Sequence, residues 1–241
     1  MALYPNLAKQ FYASLWGTKI QHQPTQNTVL NTYSILSNDN VEWATIIAYS
    51  TIEQAIQNKV IHPMLFAYLL QNNFFSNLAK DYIEYFTKPA PKNQAAFDNW
   101  HSGVCNTIIK VLMACNAQQI ARYGIAQKIV NMTFKHLSCF NDAESKRDHF
   151  KYCHMPIDRK ILFWIKDQKM PVTNSISSWS TLDNPTYTDL QNKIRNHLKQ
   201  YPNKPNILEA EFVIWPEAKD NLEKANEAKK NNQPYTPQWT Y

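Results

Sequence analysis

Three glycines, Gly17, Gly103 and Gly124, are all that the 241 residues contain. All-β folds need turn glycines between many strands, and nucleotide folds need them in phosphate loops, so both classes are set aside. No run of eighteen apolar residues exists. The opening Met-Ala-Leu-Tyr-Pro-Asn also lacks the charged-then-apolar order of a signal peptide, so the chain is expected in the cytoplasm, with no membrane partner. The four cysteines, Cys105, Cys115, Cys139 and Cys153, form no Cys-x-x-Cys pair and read as reduced, mostly core thiols. Walker loops, dinucleotide fingerprints, His-Glu-x-x-His and internal repeats are all missing, so no motif asks for a cofactor.

What is present is helical periodicity and positive charge. A formal charge of +6 and a pI near 9 suit an anionic partner, although many soluble proteins are equally basic. Leu3, Leu7, Phe11 and Leu15 recur at helical spacing, and Val41, Ala44, Ile47 and Ala48 follow the capping-type run Ser37-Asn38-Asp39-Asn40, predicting one or two helices up to about Asn58. Pro63 precedes a helix over Met64–Leu70, and another is predicted over Asn77–Phe86. Phe97, Trp100, Val104, Ile108 and Leu112 predict a helix ending at Asn116. A further helix is expected over Tyr187–Leu198, Ile207–Trp215 is apolar enough to dock back on the core, and Met170–Asp189 reads as an irregular connection. The fold class is therefore all-α: one unit over 1–218, its two helical layers joined by the proline-rich 87–95 stretch, and a loosely packed tail over 219–241.

The stretch from Tyr123 to Asp158 carries the chemistry. Gly124 permits a tight turn into a helix whose first turn bears Lys128, and Pro156 precedes Asp158, an N-cap candidate ahead of Ile161, Leu162 and Ile165. This lysine and this acid, about thirty residues apart, resemble the helix-hairpin-helix DNA glycosylases. Tyr123-Gly-Ile-Ala-Gln-Lys-Ile-Val130 overlays the family's hairpin, and Pro156-Ile-Asp158 overlays its Pro-Val-Asp. Tyr123 stands where the family has proline, and Ala126 where it has a second glycine. The long lysine-to-acid gap is more like the archaeal 8-oxoguanine glycosylase branch. The resemblance covers about a sixth of the chain, and the cysteine spacing does not fit the iron–sulfur loop that some members carry.

The resemblance implies base excision on duplex DNA containing a lesion, with 8-oxoguanine as the example substrate. Cleaving the bond between a base nitrogen and the sugar C1′ builds positive charge on the sugar, and a carboxylate at Asp158 would stabilise it. Lys128, once neutral, would attack C1′ to give a Schiff base with lyase competence, and Lys135 is the fallback nucleophile. The plainer readings are a capping aspartate and a surface lysine. A flipped base needs apolar faces, for which Trp100, Phe134 and Trp164 are candidates with His101 as a polar partner, although aromatic residues in helices more often belong to the core. Arg122, Arg159 and Lys160, with the backbone amides of Gly124 and Ala126, are the expected phosphate contacts. Cys139, His149, Cys153, His154 and His136 cluster in sequence but match no zinc pattern, so no metal is expected. The rival readings are a non-catalytic nucleic-acid-binding protein, as in phage defence or a mobile element, and a helical interaction protein.

Overall fold

The computed structural model describes residues 33–52, 61–171, 176, 178–203 and 205–241, and every regular element among them is helical. In chain order these are α1 (Asn38–Ser50), α2 (Ile61–Gln71), α3 (Phe74–Thr87), α4 (Gln94–Ala114), α5 (Tyr123–Leu137), α6 (Arg147–Phe150), α7 (Arg159–Asp167), α8 (Asn184–Leu198) and α9 (Ile207–Lys230). The helix predicted over Leu3–Trp16 and the end of the one expected to reach Asn58 lie outside the described residues. None of the described helices is long and apolar enough to cross a membrane.

Local chemistry sets the helix ends. Pro63 is the third residue of α2, where its missing N–H costs nothing. Asn93 caps α4 by accepting from the Ala96 amide. At the other end Asn116 takes a left-handed φ of 55°. The Asn116 and Ala117 amides then donate back to Met113 and Leu112 in a Schellman closure. The connection expected to reach Asp189 stops earlier, because Asp183 caps Thr186 and Pro185 sits in the first turn of α8.

The C-terminal quarter differs most from expectation. Helix α9 continues through Pro216 to Lys230, so the division expected at 218/219 falls inside a helix. One missing backbone bond is offset by burial of Ala218 and Asn221 beyond the proline. The segment after α9 packs back instead of hanging loose. Asn221 Oδ1 accepts from the Tyr235 hydroxyl at 2.7 Å and its amide donates to the Gln238 carbonyl. Trp239 Nε1 donates to Asp167, while Trp164 Nε1 donates to the Tyr241 carbonyl at 3.0 Å.

Helix α5 is the axis of the structure, and each of its fifteen residues is buried. It packs on α1, on α4 and on a short 3₁₀ turn at Trp179–Thr181. Phe134, on this helix, lies within an aromatic cluster with Tyr82, Tyr85, Phe97 and Trp100, at centroid distances of 5.1–5.6 Å. Yet α5 also carries Gln127, Lys128, Asn131, Thr133, Lys135 and His136, and a polar group taken out of water must find a partner inside the protein.

Candidate active site at the starts of two helices

Asp158 is the N-cap of α7, with extended backbone that turns its carboxylate back onto the helix start. Its Oδ1 accepts from the Lys160 amide at 2.9 Å and from the Ile161 amide at 3.0 Å. Its Oδ2 accepts from Lys128 Nζ and from Trp215 Nε1, both at 2.9 Å. Three elements meet here: α5 brings the amine, α7 the acid and α9 the indole. Lys128 lies one turn deeper in α5 than expected, because the helix already begins at Tyr123.

Burial by itself would raise the Asp158 pKa, but the Lys128 charge, the Ile161 amide and the Trp215 indole outweigh it and bring the carboxyl down to about 2. The acid is therefore ionised throughout the physiological range. Only 5 % of the Lys128 side chain and 11 % of the Asp158 side chain reach solvent, so the pair lies under the surface with the acid nearer the outside. Trp215, half-buried, is the partner that meets solvent, and Lys160 Nζ sits 4.9 Å from its ring centroid.

A second ion pair lies two turns further along α5. Lys135 pairs with Glu211 of α9, four residues before Trp215, and both side chains are sealed. Burial lowers the Lys135 pKa more than the Glu211 charge restores it. Its ammonium lies 4.7 Å from the Phe212 ring centroid and 5.8 Å from that of Trp215. Burial, then Lys135 and Lys128, bring the neighbouring His136 down to about 3, so that ring is neutral. Lys135, the fallback nucleophile, is thus held inside the protein by Glu211.

The other expected site residues divide sharply. Arg122, the N-cap of α5, and Arg159, the first residue of α7, are exposed, while Lys160 is half-buried over Trp215. Gly124 and Ala126 do not offer their amides to a phosphate, because Gly124 N donates to Leu182 O at 2.9 Å and Ala126 N to Arg122 O at 3.1 Å. Nor does Gly124 form the expected turn, since no glycine among the described residues has a positive φ. It lies within α5, where a Cβ would come 2.1 Å from the Trp179 carbonyl oxygen. The lack of a side chain is needed for that close approach.

The side chains expected to line a base pocket do not gather beside the pair. Phe134 and Trp164 are fully buried in the core, with no ring face open to a base. His101 is buried too, bonded to Asn131 at 3.1 Å and stacked on Tyr187. Trp100 lines a cavity of about 550 Å³ between α3 and α4, bordered by Asp81, Glu84 and Tyr85 and including neither Lys128 nor Asp158. The aromatic ring beside the pair is Trp215, from the apolar stretch expected only to dock on the core. Glu211, set between Ala210 and Phe212 within that stretch, was the available signal of a buried partner.

The cysteine and histidine side chains near 136–154 are spread over separate contacts: Cys139 bonds the Lys135 carbonyl, His149 the Lys88 carbonyl, and His154 lies between Asp98 and Tyr187. Among the described residues no group of three or more metal-type side chains converges. No protein-family model, curated protein or solved structure matches the chain.

Proposed function

We propose that the chain is a DNA glycosylase of helix-hairpin-helix type, excising a damaged or modified base such as 8-oxoguanine from duplex DNA. The observation that carries this reading is the 2.9 Å approach of Lys128 Nζ, in the second turn of α5, to the carboxylate of Asp158 at the start of α7, with a half-buried indole on the same oxygen. Helix α4, the turn at 115–122 and α5 supply the helix-hairpin-helix element in this reading. The net positive charge and the exposed Arg122 and Arg159 at the ends of the two motifs suit a phosphate backbone.

Substrate would have to displace one donor from Asp158, and Trp215, nearest solvent, is that donor. A nucleotide flipped toward the pair brings its C1′ to the carboxylate, which stabilises the positive charge as the bond to the base breaks. The bonding electrons leave with the base, which takes one proton from the Lys128 ammonium. The amine so formed bonds to C1′. A second nitrogen proton then moves to the ring oxygen as the C1′–O4′ bond opens, leaving a protonated Schiff base. Borohydride delivers hydride to the imine carbon and fixes the adduct as a secondary amine.

Incubating the chain with duplex oligonucleotides containing single lesions, 8-oxoguanine among them, and sodium borohydride tests this. The wild type is expected to form a covalent adduct that Lys128→Met abolishes and Asp158→Asn slows by at least about a hundredfold. Salt-dependent binding to duplex without any adduct supports a second reading instead: a nucleic-acid-binding protein in which the pair is structural. The near-complete burial of both side chains favours that alternative.

A further inference from the structure

Residues 153–157 lead to the capping Asp158, buried throughout and belonging to no strand or helix. Such a backbone must find hydrogen-bond partners elsewhere. Pro156 has no N–H, and the neighbours on either side of it are served by two fully buried glutamines from different helices. Gln127 of α5 accepts from the Ile157 amide at 3.2 Å and donates to the Ile157 carbonyl at 2.9 Å. Gln191 of α8 accepts from the Met155 amide at 3.0 Å and donates to the Met155 carbonyl at 2.7 Å. Each side-chain amide thus does for one residue what a neighbouring strand would do.

The orientation of Gln127 is settled by its surroundings. Its Nε2 also donates to the Gly124 carbonyl at 2.9 Å, and its Oε1 also accepts from Asn131 Nδ2 at 3.0 Å. Turning the amide over would set donor against donor and acceptor against acceptor at all four contacts. Asn131 is held in turn by the Tyr187 hydroxyl at 2.7 Å and by His101, and Tyr187 meets His154 at 2.9 Å. Gln127 precedes Lys128 in α5, and Ile157 precedes Asp158. One amide therefore spans the residues immediately before the amine and before the acid.

We infer that Gln127 and Gln191 are positioning residues: they hold the 155–158 backbone so that the Asp158 carboxylate meets the Lys128 amine, acting through the backbone and not on substrate. The kinetic consequence rests on the glycosylase reading; the structural one does not. Displacing the carboxylate by about an ångström is expected to slow adduct formation by about a hundredfold while leaving phosphate contacts alone.

The test uses the full chain as wild type, Gln127→Met and Gln191→Met, with two readouts. In single-turnover borohydride trapping with an 8-oxoguanine duplex, both variants are expected to lose rate, Gln127→Met more, with duplex affinity held within about twofold. In amide hydrogen exchange, protection at Ile157 in Gln127→Met and at Met155 in Gln191→Met is expected to fall by about tenfold or more, while α4 and α9 keep theirs. Should Gln127→Met not fold, Gln127→Glu keeps the acceptor for Ile157 and Asn131 and loses the donor to the Ile157 and Gly124 carbonyls. Unchanged protection at Ile157 and Met155 overturns the inference. So does a wild-type trapping rate in variants whose melting temperature alone has dropped. A wild type that traps nothing overturns the glycosylase reading instead, and the exchange arm still decides the role of the glutamines.

Discussion

Helix α5 holds two lysine–carboxylate pairs seven residues apart, and their surroundings differ. Asp158 receives four donors, two of them backbone amides at a helix start, and keeps some contact with solvent. Glu211 faces Lys135 in a sealed space beside the Phe212 and Trp215 rings. A carboxylate with several donors can give one up and stay ionised, whereas a sealed pair that loses a member leaves an uncompensated charge. Exchange of partners is thus feasible at Lys128–Asp158, and the inner pair serves to fasten α9 to α5.

The sharpest way to break this contrast is to remove each amine in turn. Lys128→Met is expected to remove the borohydride adduct altogether while remaining folded. Lys135→Met is expected to cost about 3–5 kcal/mol in urea denaturation, and Lys135→Met with Glu211→Leu to recover most of that loss. A single Lys135→Met variant as stable as wild type would end the idea that the inner pair is a fastener.

Acid titration gives a smaller effect with a definite sign. The folded Asp158 pKa of about 2 lies below the ordinary aspartate value of about 3.9, so its contribution is present above about pH 4 and is lost as pH falls through 2. About 2 kcal/mol of unfolding free energy is expected to disappear over that window in the wild type and to be missing at every pH in Asp158→Asn. The smallest effect is expected from Trp215→Phe, which keeps a ring beside Lys160 and deletes one donor to a charged acceptor. It should cost about 1.5 kcal/mol or more and raise the pH midpoint of that acid transition. An unmoved midpoint would show that the indole covers the acid without bonding it.

Much of the helical framework could be read from periodicity and caps. The run from Phe97 to Leu112 marks α4, Asn116 ends it, and Asp158 is the N-cap that its position before Ile161 and Leu162 suggested. These features are local, so local patterns carry them. What stayed hidden depends on residues far apart in sequence. Trp215 reaches Asp158 from 57 residues away, and Gln191 reaches Met155 from 36. Gly124 does not use its freedom of backbone angle; what requires a glycine there is the carbonyl of Trp179, 55 residues away. The tail expected from 219 is helical as far as Lys230, because the burial that carries α9 past Pro216 depends on the C-terminal segment folding back.

The total burial of α5 also bears on how the protein comes apart. Its polar groups take partners from separate elements: Val130 from Tyr82 of α3, Gln127 from Ile157, Asn131 from Tyr187 of α8, and Lys135 from Glu211 of α9. None of these four partners can peel away without stranding a donor, an acceptor or a charge in a medium that cannot solvate it. Partial opening is thereby penalised from several directions, and the central helix ties the elements around it into one cooperative unit.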